Sequence, residues 1–467
     1  MQTLILNPPV TTPAEPPAGA FVLAAALAGQ GRDVALLDLS LELYHQQLDS
    51  ALDRGPHAGS SSSETRRNRT LGRAIERLLH SPGGYDPQVH SSDLGHLHNT
   101  LGEYGAANPG WKLTLMDLTP GVRVTAPAIL AAWMSQRPSP FRELWERILD
   151  PVLDSERPSR VAVSISYLSQ LAASIDLVEH LRRRGASLVV GGSLIRSLAS
   201  TGQGLELLVP LLGPIDPGDG SSLLMTAAGH SMSGDAALLL SRLAWPRLLS
   251  SRPYLASRPV VPVPLSLGCY WRRCLFCPDR VLPFRRVELG AIQGLLDSLP
   301  ADLRQRRPLL HLLDSALPPS QLAAALPLLK EHEVGFYGFA RPTKEWLAGK
   351  ILEDCAGAGG LMLQLGIEGG SRPLLDRYHK GLCPEEAEQV VRETAAARIR
   401  TYLYLLFGLP GETDDDRKLT LAMLERLGEA RAMDFLNMSL FNLPAQSELA
   451  ARASENGITL LANPSGR

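Results

Sequence analysis

The sequence predicts an α/β chain built from two successive parallel-sheet halves, on three observations. Short apolar runs alternate with helix-length segments in both halves of the 467 residues, a rhythm of βα repeats rather than of sandwiches or bundles. That rhythm stops between about residues 45 and 155 and again between 246 and 260, which divides the chain. In the second half the polar and glycine-rich departures fall just after the apolar runs, where a parallel barrel keeps its chemistry. The expected layout is a Rossmann-like doubly wound parallel sheet over residues 1–245 with an insertion at about 45–155. A linker at 246–260 and a partial (β/α)6 TIM-type barrel over 261–467 follow.

Thr3 to Asn7 is an apolar run stopped by Pro8-Pro9, the mark of a buried parallel strand. Ala18 to Gln30 reads as a helix closed by Gly31, and Asp33 to Asp38 as the next strand. In the insertion, Gly55 to Ser63 reads as a loop and Thr65 to Leu79 as an amphipathic helix, with Arg66, Arg67, Arg69 and Arg73 on its solvated side. His90, His96 and His98 match no metal-ligand spacing and read as surface residues. The α/β rhythm returns with a strand at Val161 to Ile165, a helix at Gln170 to Arg184 and a strand at Ser187 to Val190. Leu205 to Leu212 is either a further strand or a short helix. Ligands of open parallel sheets bind beyond the carboxyl ends of the strands. Those ends carry Pro8, Ser166, Gln170, Gly191 and Gly192.

Six strand-like runs follow the linker: Val261–Leu267, Leu309–Leu313, Val334–Ala340, Leu361–Ile367, Arg400–Phe407 and Phe435–Phe441. After the first five come, in turn, a cysteine-bearing loop, Asp314-Ser315, Arg341, Glu368-Gly369-Gly370-Ser371, and Gly408-Leu409-Pro410-Gly411-Glu412-Thr413. The last of these is a tight turn in which Glu412 and Thr413 fix a helix start. Tyr402 and Tyr404 either face the barrel interior or pack.

The cysteine loop is the most specific feature. Cys269, Cys274 and Cys277 lie in Gly268-Cys-Tyr-Trp-Arg-Arg-Cys-Leu-Phe-Cys-Pro278. Thiolates so spaced can turn from one loop onto one inorganic centre. A structural zinc site would want a fourth Cys or His nearby, and Cys355 and Cys383 are isolated and distant. Three cysteines on a 4Fe–4S cubane leave one iron open to a small molecule.

This loop resembles that of the radical S-adenosylmethionine (SAM) superfamily, with one residue more between the first two cysteines than the usual Cys-x3-Cys-x2-Cys. The Gly-Leu-Pro-Gly-Glu-Thr run resembles the turn found in many of its members. With Leu-Ile-Leu-Asn-Pro-Pro at the start, Ser164 to Gln170 and Gly191-Gly192, the chain is similar to radical SAM proteins with an N-terminal cobalamin-binding domain, over about residues 1–40 and 160–450. The resemblance implies a 4Fe–4S cluster on the three cysteines and SAM chelated at the open iron. Phe276 would lie beside adenine, and Asp314 and Ser315 would accept from the SAM ammonium. Arg341 would fork its carboxylate, and Glu368 would meet a ribose hydroxyl or the amine. Gly366 and Gly369 would leave room for the nucleoside, and Ser371 would touch it or cap the next helix. Where many members carry Gly-Gly-Glu after the second strand, this chain has Leu313-Asp314-Ser315. Cobalamin would lie over Pro8, Ser166, Gln170, Gly191 and Gly192. No histidine follows the first strand, so cobalt would lack an axial donor from there.

The implied function is methyl transfer to an unactivated centre of a small-molecule or peptide substrate, fed by an electron donor such as a flavodoxin or ferredoxin. The alternatives are cobalamin-independent radical SAM chemistry and an iron–sulfur redox sensor. The formal charge of −2 gives no pull toward nucleic acid, and no apolar run is long enough to span a membrane. A cytoplasmic protein is expected.

Overall fold

The computed structural model describes residues 1–53, 62–80, 86–122, 127–201, 205–216, 218, 240–250 and 252–460. They form two compact units, Met1–Val260 with Asp297–Arg306, and Val261–Leu296 with Arg307–Arg467.

In the first unit the strands are β1 (Thr3–Asn7), β2 (Val34–Asp38), a hairpin of β3 (Trp111–Leu113) and β4 (Leu118–Pro120), then β5 (Arg160–Ser164), β6 (Leu188–Gly191) and β7 (Arg247–Leu248). The main sheet runs β6-β5-β1-β2-β7, and every neighbouring pair in it is parallel. The order reverses between β1 and β5, so the loops after these strands flank the crevice expected of a doubly wound sheet. β1 and β2 are buried almost throughout, as strands covered on both faces must be. Leu205–Leu212 is a helix, on which Leu208 and Leu212, one turn apart, are both buried.

The segment read as a linker contributes strand β7. Arg247 and Leu248 pair with Ala35 and Leu36, and the Leu249 amide donates to the Leu36 carbonyl at 2.9 Å. Two of its three prolines, Pro246 and Pro253, flank this stretch instead of interrupting it, so it can cover the edge of β2 that would otherwise stay unpaired. Of the predicted loop Gly55–Ser63, residues up to 61 lie outside the described ones. Ser62–His80 is a helix on which Arg66, Arg69 and Arg73 are exposed and Arg67 pairs with Glu103 at 2.6 Å. His90, His96 and His98 lie on the helix Pro87–Gly102, none of them buried.

The second unit holds β8 (Val260–Val263), β9 (Ser266–Leu267), β10 (Arg285–Arg286), β11 (Leu309–Leu312), β12 (Gly335–Ala340), β13 (Gly360–Glu368), β14 (Arg400–Phe407) and β15 (Phe435–Leu440). Six of them form one sheet in the order β15-β14-β13-β12-β11-β8, with β11 to β15 pairing in parallel. The predicted first strand is broken beyond Pro264, which has no amide hydrogen to give. Ser266–Leu267 leaves the barrel sheet and pairs antiparallel with Arg285–Arg286.

Alternation along these strands sorts the side chains. Leu363, Leu365, Leu403 and Leu405 are buried on one face. The other face carries layers set by register. His311, Tyr337 and Met362 share one level, Phe339, Gln364, Tyr402 and Phe435 the next, and Gly366, Tyr404 and Asn437 the one above. Among the described residues no helix is long and apolar enough to cross a membrane.

Candidate active site

The cysteine loop leaves β9 through Gly268, whose φ is 68°. A Cβ there would sit 2.7 Å from the Pro283 carbonyl oxygen, so only glycine makes this turn. The loop is then pinned at several points. The Trp271 indole donates to the His379 carbonyl at 2.8 Å, the Leu275 amide to the Tyr378 carbonyl at 3.1 Å, and Arg280 to the Arg273 carbonyl at 2.9 Å. In the lengthened gap between the first two cysteines Arg272 takes a left-handed backbone, φ 51°, and its Nε donates to the Arg280 carbonyl at 3.2 Å.

Cys274 is buried, and Cys269 and Cys277 are half-buried. Burial pushes the Cys274 thiol up, while Lys380 and Arg341 pull it back. Burial, with Asp279 adding to it, pushes Cys277 up to about 12. Cys274 also feels Cys269, and Cys277 feels both Cys274 and Cys269, which places all three in one neighbourhood. Crowded thiols of this kind ionise when a cationic centre takes them as ligands. Among the described residues no three His, Cys, Asp or Glu side chains converge so as to hold a single metal ion. A cubane gives each thiolate its own iron and does not require the three sulfurs to share one ion.

Arg341, just past β12, is 4% exposed and central to the site. One terminal nitrogen is 3.9 Å from the Cys274 sulfur, and the other donates to the carbonyls of Lys380 (2.6 Å) and Gly381 (3.3 Å). Its guanidinium lies over the Trp271 ring, 4.4 Å from the centroid, a cation–π contact. Beyond this pair opens a cavity of about 720 Å³ lined also by Tyr270, Phe284, Pro319 and Leu382. Glu368 ends β13 with φ 67°, and its carboxylate accepts from the Lys380 ammonium at 2.7 Å. This ion pair is largely buried, with side chains 16% and 8% exposed.

Several predicted contacts are taken up inside the protein. Asp314 is buried and accepts from the Leu265 amide at 3.0 Å and from the Ser266 hydroxyl, which fixes the exit of β8. Burial raises its pKa to about 6. Ser315 donates to Asp279 at 2.7 Å. Phe276 packs beside Tyr378, with ring centroids 6.2 Å apart, in a small core with Leu374, Leu409 and Leu449. Gly366 does face the site: a Cβ there would come within 3.2 Å of the Glu368 carboxylate and 3.4 Å of the Lys380 nitrogen. A Cβ on Gly369 would meet the Thr420 hydroxyl at 3.2 Å, so its small size serves packing. Ser371 caps Arg372–Arg377 and donates to Asp416. Thr413 and Asp416 form a reciprocal cap on Asp414–Glu429, and Glu412 accepts from the Gly408 amide at 2.6 Å, so this turn is structural.

In the first unit Gln170 is wholly buried. Its amide donates to the Asn7 side chain (2.9 Å) and the Pro8 carbonyl (2.7 Å), and accepts from the amides of Ser166 (2.8 Å) and Tyr167 (3.1 Å). It ties the ends of β1 and β5 together and has no hydrogen-bonding capacity left for a ligand. Gly192, φ 113°, lies where a Cβ would be 2.3 Å from the Ile165 carbonyl oxygen, and a Cβ on Gly191 would be 3.1 Å from the Asp216 carbonyl. Internal packing therefore accounts for both glycines. The surface offered at this end comes from Tyr167 and Leu168, 60% and 72% exposed. His45 is buried and bonds the Pro253 carbonyl at 2.8 Å.

Sequence reasoning missed Lys380, Trp271 and Gln364. Lys380 meets Glu368 only through the turn after Arg372–Arg377, and an isolated Lys-Gly pair gives no signal of that. Gln364 had one: a lone amide in an otherwise apolar barrel strand.

No family model and no curated protein matches the chain. Solved structures do. The radical SAM methyltransferase TsrM from Kitasatospora setae, with cobalamin and a 4Fe–4S cluster bound, aligns with a TM-score of 0.57 at 15% identity over 97% of this chain and 75% of that one. Its form with a tryptophan substrate and a SAM analogue gives 0.58 at 15% identity, over 97% and 76%. The cobalamin-dependent SAM radical enzyme OxsB with aqua-cobalamin gives 0.54 at 15% identity, over 97% and 56%. The fold is that of the cobalamin-dependent radical SAM enzymes. The chain spans about half the length of OxsB.

Proposed function

We propose that the chain is a radical SAM iron–sulfur enzyme, cobalamin-dependent, that transfers a methyl group to an unactivated centre of a small-molecule or peptide substrate. The observation that supports it most is the pinned three-cysteine loop at the strand ends of this barrel, with Arg341 and the Glu368–Lys380 pair against Cys274. A cubane bound by Cys269, Cys274 and Cys277 would supply the electron that cleaves a carbon–sulfur bond of SAM. Arg341 offsets thiolate charge at Cys274 and keeps a buried donor, its Nε, without a partner. The Glu368 carboxylate, held by Lys380, can accept from a ribose hydroxyl or an amine, and Gly366 leaves the space before it. Asp314 acts at one remove by fixing the chain that enters the cysteine loop. The electron would come from a one-electron carrier such as a flavodoxin or ferredoxin.

A second reading, radical SAM chemistry without cobalamin, is favoured by the internal engagement of Gln170, Gly191, Gly192 and His45. Anaerobic reconstitution separates these readings. The cluster assignment expects about four irons per chain and a reduced-cluster resonance signal that SAM shifts. Arg341→Ala and Glu368→Gln should each weaken SAM binding by about 1–3 kcal/mol. Hydroxocobalamin retained through desalting, with a base-off Co(II) signal free of nitrogen splitting, supports the first reading. Complete loss on desalting leaves the second. An iron-free protein refutes both.

A further inference from the structure

The proposed chemistry does not use Gln364, yet its surroundings suit a binding group. It is 8% exposed at the middle of β13. Its Nε2 donates to the Tyr404 hydroxyl at 3.4 Å, and its carbonyl oxygen has no donor. A buried amide oxygen without a partner costs about 1–3 kcal/mol, which apolar Leu or Met at this position would avoid. The side chains around it are flat. In its own register layer stand Phe339, Tyr402 and Phe435. Phe339 lies 5.0 Å from Tyr404 between ring centroids, Tyr402 lies 4.7 Å from Tyr404, and Tyr402 lies 5.7 Å from Phe435. One layer down, His311 stacks on Tyr337 at 4.7 Å and 14°. One layer up, Gly366 offers no side chain, and above it stands the Glu368–Lys380 pair. The rings Phe339, Tyr402, Tyr404 and Phe435 are half-buried, and on the same face of the sheet the buried Gln364 carbonyl oxygen is an acceptor without a partner.

We propose that this layer is the substrate-selecting floor of the barrel, and that it takes a planar aromatic group bearing an N–H donor, which completes the Gln364 carbonyl. The proposal rests on the reading of the barrel as a radical SAM site only for what happens to the bound group; binding itself needs no cluster. Edge or offset contacts with these half-buried rings supply affinity for the ring. The donor supplies selectivity, because a site built to hydrogen-bond a substrate rejects the analogue that lacks the donor.

The test uses aniline and toluene, rings of nearly one shape that differ in the donor, titrated by ligand-observed NMR into the full chain, with and without a reconstituted cluster. Aniline should bind at least about 5-fold more tightly than toluene despite its greater cost of leaving water. In Gln364→Leu the order should reverse, with toluene affinity kept or raised, and Tyr404→Phe should narrow the preference. Equal binding of the two rings, failure of both to bind, or a preference that survives Gln364→Leu overturns the proposal. If Gln364→Leu does not fold, Gln364→Met takes its place, and the wild-type comparison decides by itself. Aniline selectivity in a chain that forms no cluster would sink the radical SAM reading and leave this one standing.

Discussion

Replacing Lys380 by Met should destabilise the second unit by about 3–5 kcal/mol, the usual cost of stranding a buried charge. The magnitude follows from the geometry. At 2.7 Å, with side chains 8% and 16% exposed, the Glu368–Lys380 attraction is about 6 kcal/mol at an effective dielectric of 20. Most of that offsets the removal of two ions from water, so the pair as a whole adds little net stability. Removing one ion loses the attraction and keeps the other's desolvation. Glu368 has no easy escape, since its backbone is fixed at φ 67° and Gly366 lies beneath it. The double variant Glu368→Gln/Lys380→Met should therefore cost clearly less than Lys380→Met alone. Hydrogen exchange of the β13 and β14 amides in cofactor-free protein under argon reads this unit's opening free energy. A loss below about 1 kcal/mol for Lys380→Met, or additive single and double variants, would show that the pair is not the buried device described.

Four further outcomes are expected. Replacing Cys269, Cys274 and Cys277 together by Ala should abolish iron–sulfur absorbance after reconstitution, whereas Cys355→Ala and Cys383→Ala should keep it; iron retained in the triple variant would refute the ligand assignment. Gln170→Leu strands the Pro8 carbonyl and the Ser166 and Tyr167 amides, and should lower the first unit's unfolding free energy by at least about 3 kcal/mol; unchanged stability with lost cobalamin binding would make Gln170 a ligand contact instead. Asp314 has a raised pKa of about 6 against an ordinary 3.8, so the folded state binds its proton more tightly. That stability is complete below about pH 4 and is lost as pH rises through 6, about 3 kcal/mol in all. The stability difference between wild type and Asp314→Asn, followed from pH 4 to 8 by urea unfolding, should shrink by that amount; a flat difference would refute it. Gly366→Ala, by pressing on both ions of the pair, should weaken SAM binding more than Gly369→Ala does, measured by the SAM-induced shift of the cluster signal; equal effects would remove Gly366 from the site.

The sequence by itself determined the α/β class, the six barrel strands, the cysteine loop and the strand-end positions of Arg341 and Glu368, because each of these is local. Strand period, turn chemistry and ligand spacing are all written within a dozen residues. Only the tertiary structure decided what each polar group touches. Asp314, Gln170 and the Gly191-Gly192 pair stand where a ligand was expected, yet their partners are Ser266, Pro8, Ile165 and Asp216. Buried donors and acceptors must be satisfied, and the nearest satisfying group is often far along the chain. The strand inside the apparent linker was hidden for a related reason. Two residues of β7 become a strand only because β2 offers an open edge, and proline-rich composition carries no record of that edge. Lys380 and Gln364 belong to the same class. Each owes its role to a partner, or to the lack of one, that only the closed packing of β12, β13 and β14 creates.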